Sequence, residues 1–134
     1  MSCCQGSASC AGTARFFGRS AKRYAKRFRK RGLDAAQGRL ADMLTRTGIQ
    51  GATLLEIGCG VGGLHLDLLR RGARSAVGID VSEEMIAEAR ELAAGLQLTA
   101  QTEHRVGDVV TLSPAPPSCD VVMLDKVVCC YADW

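Results

Sequence analysis

The spacing of apolar positions changes character twice along the chain. Residues 1–13 are small and polar with no repeating apolar period, which predicts a mobile leader. From Arg15 to Arg31, Phe17, Ala21, Tyr24 and Phe28 recur at intervals of four, three and four, with Arg19, Lys22, Arg23, Lys26 and Lys30 on the other faces. That period predicts one amphipathic helix with a strongly basic side. After Gly32, Asp34 is placed to cap a second helix and Gln37 to complete a capping box. The core face of this helix would be Ala36, Leu40, Met43 and Leu44, and Gly48 its stop.

Beyond Ala52, short apolar runs alternate with helical stretches. Thr53–Ile57 predicts a buried strand, Gly63–Arg71 a helix closed by Gly72, and Ser75–Asp80 a second strand. This βαβ unit implies a parallel sheet with right-handed crossovers. Ser82 is placed to cap the next helix, with Glu83 and Glu84 in its first turn. Met85, Ile86, Ala89, Leu92 and Ala93 would face the sheet, and the helix would end near Gly95. A third strand is expected over Glu103–Val106 and a fourth over Cys119–Leu124, with the Pro-rich stretch Ser113–Ser118 between them. Lys126–Trp134 has the length to begin one further helix.

A chain of 134 residues makes one domain, and 47% hydrophobic with 23% charged residues excludes collagen-like, disordered and disulfide-scaffold classes. Apolar runs such as Val121–Leu124 fall short of the roughly 18 residues that cross a bilayer. The N-terminus has no apolar stretch of the kind a secretory signal requires. Seven cysteines in that setting point to free thiols and a cytoplasmic location. Cys3, Cys4 and Cys10 form one group and Cys129 and Cys130 another; neither has zinc-ligand spacing, so no metal is expected.

Charge sharpens the division of the chain. The net +3 is the sum of +9 over residues 1–33, which hold nine Lys and Arg and no acid, and −6 over residues 34–134. We therefore divide the chain into a basic leader and helix, 1–33, and a body, 34–134. The helix reads as a solvated face packed on the body, as a lid over a pocket, or as a contact for a phosphorylated substrate, nucleic acid or an anionic membrane.

The chemistry concentrates in Leu54-Leu55-Glu56-Ile57-Gly58-Cys59-Gly60-Val61-Gly62-Gly63, between a predicted strand and a predicted helix. Glycines there permit a tight turn and a close approach of backbone to ligand, and the helix N-terminus offers N–H groups to an anion. Asp80 closes the second strand twenty residues beyond Gly60, where an acid accepts hydrogen bonds from a ribose. Gly58, Gly60 and Gly63 also satisfy G-x-G-x-x-G, so an NAD-binding oxidoreductase is one reading. Glu56, two residues before the first glycine, suits an ammonium group better than a pyrophosphate.

Over residues 34–134 the sequence resembles the class I S-adenosylmethionine-dependent methyltransferases. Their first motif, an acid followed by x-G-x-G, matches Glu56-Ile57-Gly58-Cys59-Gly60; the ribose-binding acid maps onto Asp80 in Gly78-Ile79-Asp80-Val81-Ser82. The adenine-contacting acid maps onto Asp108 in Gly107-Asp108-Val109, and the fourth-strand D-x-V-x-x-D segment onto Asp120 through Asp125. The resemblance implies an α/β, Rossmann-like parallel sheet of order 3-2-1-4 with an N-terminal helical extension, and S-adenosyl-L-methionine as cofactor. It implies cofactor contacts at Glu56, Gly58, Cys59, Gly60, Asp80, Val81, Asp108, Val109 and Asp125.

The resemblance also implies methyl transfer, and the absence after the fourth strand of the N/D-P-P-Y segment associated with methylation of nucleobase or glutamine nitrogens favours a small-molecule acceptor; an RNA-binding or RNA-methylating module using the basic helix is the alternative. His65, Asp125 and Tyr131 are candidates for a general base, and none is assigned. The family fold has seven strands and only four are legible here, so the domain reads as incomplete. An inactive truncated chain, a homodimer through the apolar fourth-strand edge, and a cofactor-binding half-domain stay open.

Overall fold

The structure, a computed structural model, describes residues 8–127, with side chains from Gly12 onward. The elements in chain order are α1 (Ala8–Gly18), α2 (Ala21–Arg31), α3 (Ala35–Thr47), β1 (Thr53–Ile57), α4 (Gly63–Arg70), β2 (Ser75–Asp80), α5 (Glu83–Gly95), β3 (Thr102–Val106) and β4 (Val121–Met123). The four strands form one parallel sheet in the order β3-β2-β1-β4. The chain therefore steps outward from β1 to β2 to β3 and then returns to the other side of β1. That reversal makes the junction of β1 and β4 the topological switch point, where open α/β sheets hold ligands beyond the strands' C-terminal ends.

The body follows from its sequence almost residue by residue. β1 and β2 have the expected limits, and the Ser82 hydroxyl caps α5 by accepting the Met85 N–H at 3.2 Å. Met85, Ile86, Ala89, Leu92 and Ala93 are all buried, and with Leu54, Leu64, Leu66 and Leu68 they form the centre of the core. Asp34 caps α3 by accepting the Gln37 N–H at 2.9 Å, and Gly48 ends that helix at φ +99, a backbone angle that favours glycine.

Several expectations need correction. The single helix over Arg15–Arg31 is two, broken at Arg19–Ser20. A β-carbon on Gly18 would stand 2.6 Å from Glu84 Oε2 of α5, so glycine lets α1 come down onto that helix before the chain turns. Part of the expected mobile leader, from Ala8, is the first turns of α1. The α3 capping box is half formed, because the Gln37 amide leaves the helix and donates to Asp125 Oδ2 at 2.9 Å. On α3 the fully buried residue is Ala41, with Leu40 and Leu44 half-buried, whereas Ala36 and Met43 are exposed. α3 is covered on a narrower face than its apolar pattern suggested.

β4 covers only Val121–Met123, not Cys119–Leu124. Asp120 bonds to Thr53 of β1 through both backbone and side chain, its N–H donating to the Thr53 carbonyl at 3.0 Å and its carboxylate accepting the Thr53 N–H at 2.8 Å, and the strand proper begins at Val121. Val122 and Leu124 are about half exposed, and beyond β4 no further strand lies among the described residues. Cys3, Cys4, Cys129, Cys130, Tyr131 and the expected helix over 126–134 beyond Val127 lie outside the described residues. Among the described residues, no helix is long and apolar enough to cross a membrane.

Candidate functional site

The loop after β1 is built by three glycines at positive φ: Gly58 at +66, Gly60 at +56 and Gly62 at +82. These angles strain any residue with a β-carbon, and their alternation folds the backbone back over the sheet's end. The Cys59 N–H donates to the Ile79 carbonyl at 2.9 Å and the Gly60 N–H to Asp80 Oδ2 at 2.8 Å. The Ser82 N–H donates to the other Asp80 oxygen, Oδ1, at 2.9 Å. Asp80 thus fastens the glycine loop to the end of β2, and each oxygen retains lone-pair capacity for a ligand hydroxyl. Burial pushes its carboxyl above the ordinary aspartate value, against the lowering effect of the Ser82, Gly60 and Val81 N–H groups.

A cavity of about 440 Å³ opens at this end of the sheet, within the range of about 300–1,000 Å³ typical of small-molecule sites. Its floor is Glu56, Gly58, Cys59, Gly60, Asp80 and Val81, and one flank is Gly107 and Val109. The sequence-predicted residues are therefore brought together, with one exception. Asp108 is not in the cavity wall; its Oδ1 accepts the Val110 N–H at 3.1 Å, and its backbone neighbours line the cavity instead. Cys59 is buried with its thiol pushed well above the ordinary value, chiefly by burial and then by the Glu56 and Asp80 charges. Burial and a raised thiol argue against a nucleophilic role, and Cys59 contributes to the cavity wall.

The roof comes from the basic extension. Phe17 of α1 and Tyr24, Arg27 and Phe28 of α2 line the cavity, and the Phe28 ring lies so close to Gly63 that a β-carbon there would stand 2.9 Å from it. Of the readings open for this helix, packing on the body and covering a pocket are both realised. Ala21 and Ala25 are buried, and Arg29 reaches Glu88 at 3.9 Å and Glu91 at 3.8 Å on α5. The sequence stripe contained the roof aromatics but did not decide between core and cavity; in the structure Phe17 and Phe28 pack against the core's edge and line the cavity as well.

The side wall is polar. Asp125 holds the Gln37 amide, and Lys126 donates to Asp34 Oδ2 at 2.8 Å, so the start of α3 is tied to the turn after β4. The Gln37 N–H and Lys126 together hold Asp34 below the usual carboxylate value, and the Asp34 bond raises Lys126 in turn. Neither Asp34 nor Lys126 was expected at the site, since their proximity spans most of the body's length.

His65 does not serve as a base facing a ligand. It is fully buried on α4, outside the cavity wall, with Nδ1 at 2.6 Å from Glu56 Oε2 and Nε2 at 2.9 Å from His104 Nε2. Its backbone N–H also donates to Glu56 Oε2, at 3.3 Å, so Glu56 takes one of the first-turn N–H groups expected to meet an anionic ligand. His104 of β3, which no sequence motif marked, is pushed down to about 4 by burial, then by the His65 and Arg90 charges.

Comparison with known proteins agrees with this geometry. A family model described as a methyltransferase domain matches residues 54–134. The chain is 37% identical over 92 residues to a ubiquinone biosynthesis O-methyltransferase of Sinorhizobium medicae, covering 69% of this chain and 36% of that protein. It is 40% identical over 75 residues to the corresponding protein of Neisseria meningitidis, covering 55% and 31%. The chain thus spans about a third of the length of these curated relatives. The crystal structure of magnesium protoporphyrin IX methyltransferase from Synechocystis, solved with bound S-adenosylmethionine, superposes with a TM-score of 0.70 at 22% identity, covering 95% of this chain and 66% of that one, a likeness of fold. Four parallel strands in the order 3-2-1-4, the glycine loop over Asp80 and the matching family model together make this chain a member of the class I S-adenosylmethionine-dependent methyltransferase family.

Proposed function

We propose that this chain binds S-adenosyl-L-methionine in the cavity beyond β1 and β2, and that the protein transfers its methyl group to a small-molecule acceptor. The observation that carries the reading is Asp80, whose two oxygens stand in the cavity wall held by the Gly60 and Ser82 N–H groups. Two fixed oxygens are the donor-matched partner for the paired hydroxyls of a ribose. Glu56 in the same wall supplies a charge for the ligand's ammonium group. Gly107 and Val109 leave a flank on which a flat adenine can lie.

The cofactor supplies an electrophilic methyl group on a sulfonium, and transfer needs no covalent intermediate with the protein. The residues of this chain bind, orient and exclude water. Asp80 and Glu56 fix the two ends of the cofactor, and Phe17, Tyr24 and Phe28 cover the cavity, so proximity and orientation supply the acceleration. The aromatic roof favours a small, flat acceptor over a polymer. Oxygen acceptors come first in a screen, because the curated relatives are named O-methyltransferases. A reducing, cytoplasmic setting suits Cys59 and Cys119, both free thiols.

The test is calorimetric titration of the folded chain with S-adenosylhomocysteine and with NAD. We expect binding of the first alone, weakened about a hundredfold in Asp80→Ala, as two charge-assisted hydrogen bonds are lost. A folded chain that takes NAD equally well, or neither ligand, would overturn the proposal.

A further inference from the structure

Three neighbouring strands place Glu56, Gly78 and His104 in one row across the sheet: Glu56 pairs in register with Gly78, and Gly78 with His104. Side chains of residues in register on parallel strands share a face, so the row reads carboxylate, gap, imidazole. The gap is filled from above by His65 of α4. A β-carbon on Gly78 would stand 2.9 Å from His65 Cε1 and 3.1 Å from His104 Cδ2, and one on Gly62 would stand 2.7 Å from His65 Cε1. Two glycines, one in the loop and one in a central strand, are thus the space in which this ring bridges its two partners. Glycine in a strand interior weakens the strand, so its presence here calls for such a close approach.

The contacts run in one chain. Glu56 Oε2 meets His65 Nδ1 at 2.6 Å, and His65 Nε2 meets His104 Nε2 at 2.9 Å. Glu56 is 2% exposed, His65 0% and His104 7%, so both links lie in the interior of the fold. Only Glu56 reaches the cavity. Two nitrogens facing each other require one donor and one acceptor, and the short contact to a carboxylate requires a donor at His65 Nδ1. With His104 held neutral by burial, either of two proton arrangements completes the row: His104 Nε2–H donating to His65 Nε2, or His65 Nε2–H donating to His104; in both, His65 Nδ1–H donates to Glu56.

We infer that His65 and His104 are positioning residues that hold the Glu56 carboxylate in fixed orientation toward the ammonium group of the cofactor. This rests on the proposed cofactor reading and deepens it. Neither histidine touches the ligand; each acts through the next, as an outer partner orients a ligating group. Without the His104 contact, the His65 ring loses the partner on its far nitrogen that fixes its orientation against Glu56.

The experiment titrates the full chain with three probes. S-adenosylhomocysteine carries ammonium and carboxylate, aminopropylthioadenosine carries the ammonium alone, and methylthioadenosine carries neither. We expect His104→Leu to weaken the first two about tenfold and to leave methylthioadenosine unchanged, and His104→Gln, which restores an amide donor, to recover the loss. Equal weakening of all three probes, or of none, would overturn the inference while leaving the cofactor reading in place. A folded wild-type chain that binds no probe overturns the cofactor reading and this one with it. Should His104→Leu not fold, nitrogen NMR of the wild-type imidazoles decides. A proton on His65 Nδ1, with imidazole resonances that move on adding aminopropylthioadenosine but not methylthioadenosine, supports the chain; a His65 Nδ1 without a proton, or resonances indifferent to the ammonium, refutes it.

Discussion

The βαβαβ body and the helical roof build the same cavity by different physical means. The body offers backbone and carboxylates, with Asp80 locked by two N–H groups and Glu56 by a histidine, all on strand ends that the core immobilises. The roof offers aromatic faces on helices that bury little: seven of the eleven residues of α2 are basic, and only Ala21 and Ala25 are fully covered. Recognition of a fixed cofactor belongs on the rigid side and accommodation of an acceptor on the looser one, because low-stability elements are those able to open.

The largest expected effect that separates the two regions is acid sensitivity of the body. His104 has a folded value of about 4, below its ordinary 6.5, so the unfolded chain binds more protons between those limits. Stability is then fully present above pH 6.5 and falls by about 3 kcal/mol as pH drops through 4. Asp80, shifted upward, works in the opposite sense, its contribution being lost as pH rises through its folded value. Chemical denaturation across pH 4–7 should show the decline, and His104→Gln should flatten it; an unchanged slope in that variant would place the acid sensitivity elsewhere.

Next in size is Gly78→Ala, which drives a β-carbon into His65, Cys59 and His104. Overpacking of this kind should cost about 2 kcal/mol of stability by urea unfolding. On the roof, Phe28→Ala should act the other way round, weakening S-adenosylhomocysteine about tenfold by calorimetry, with a smaller change in unfolding midpoint than Gly78→Ala. If Phe28→Ala proves the more destabilising, the roof is part of the core and the contrast fails. The smallest effect is expected for Asp34→Ala at their junction. It removes the α3 cap and the Lys126 partner, and should lower stability by about 1 kcal/mol.

What could be read in advance follows the same boundary. α5 was legible down to its five buried residues because one amphipathic period, one serine cap and one sheet face all agree. The roof was not, because the helix breaks at Arg19–Ser20 within a continuous apolar period, beside a close approach of Gly18 to Glu84 that exists only in the fold. β4 was overextended at both ends; at its start the Asp120 carboxylate takes the Thr53 N–H, a contact between distant segments that no apolar run reveals. At the site, Asp80 and the glycine loop were legible from spacing, while Asp108, matched by motif, supports its own turn outside the cavity wall.

The order of elements from α3 to β4, the glycine loop after β1, the acid at the end of β2 and the charge division at residue 33 could all be read from the sequence alone. Tertiary structure alone decided which distant residues share a register row and which helix face meets a cavity. His104 acquires meaning only opposite Gly78, Gln37 only beside Asp125, and Phe28 only above Gly63. The reason is that hydrophobic periodicity reports burial along one element, whereas strand register and helix placement arise from packing between elements far apart in the chain.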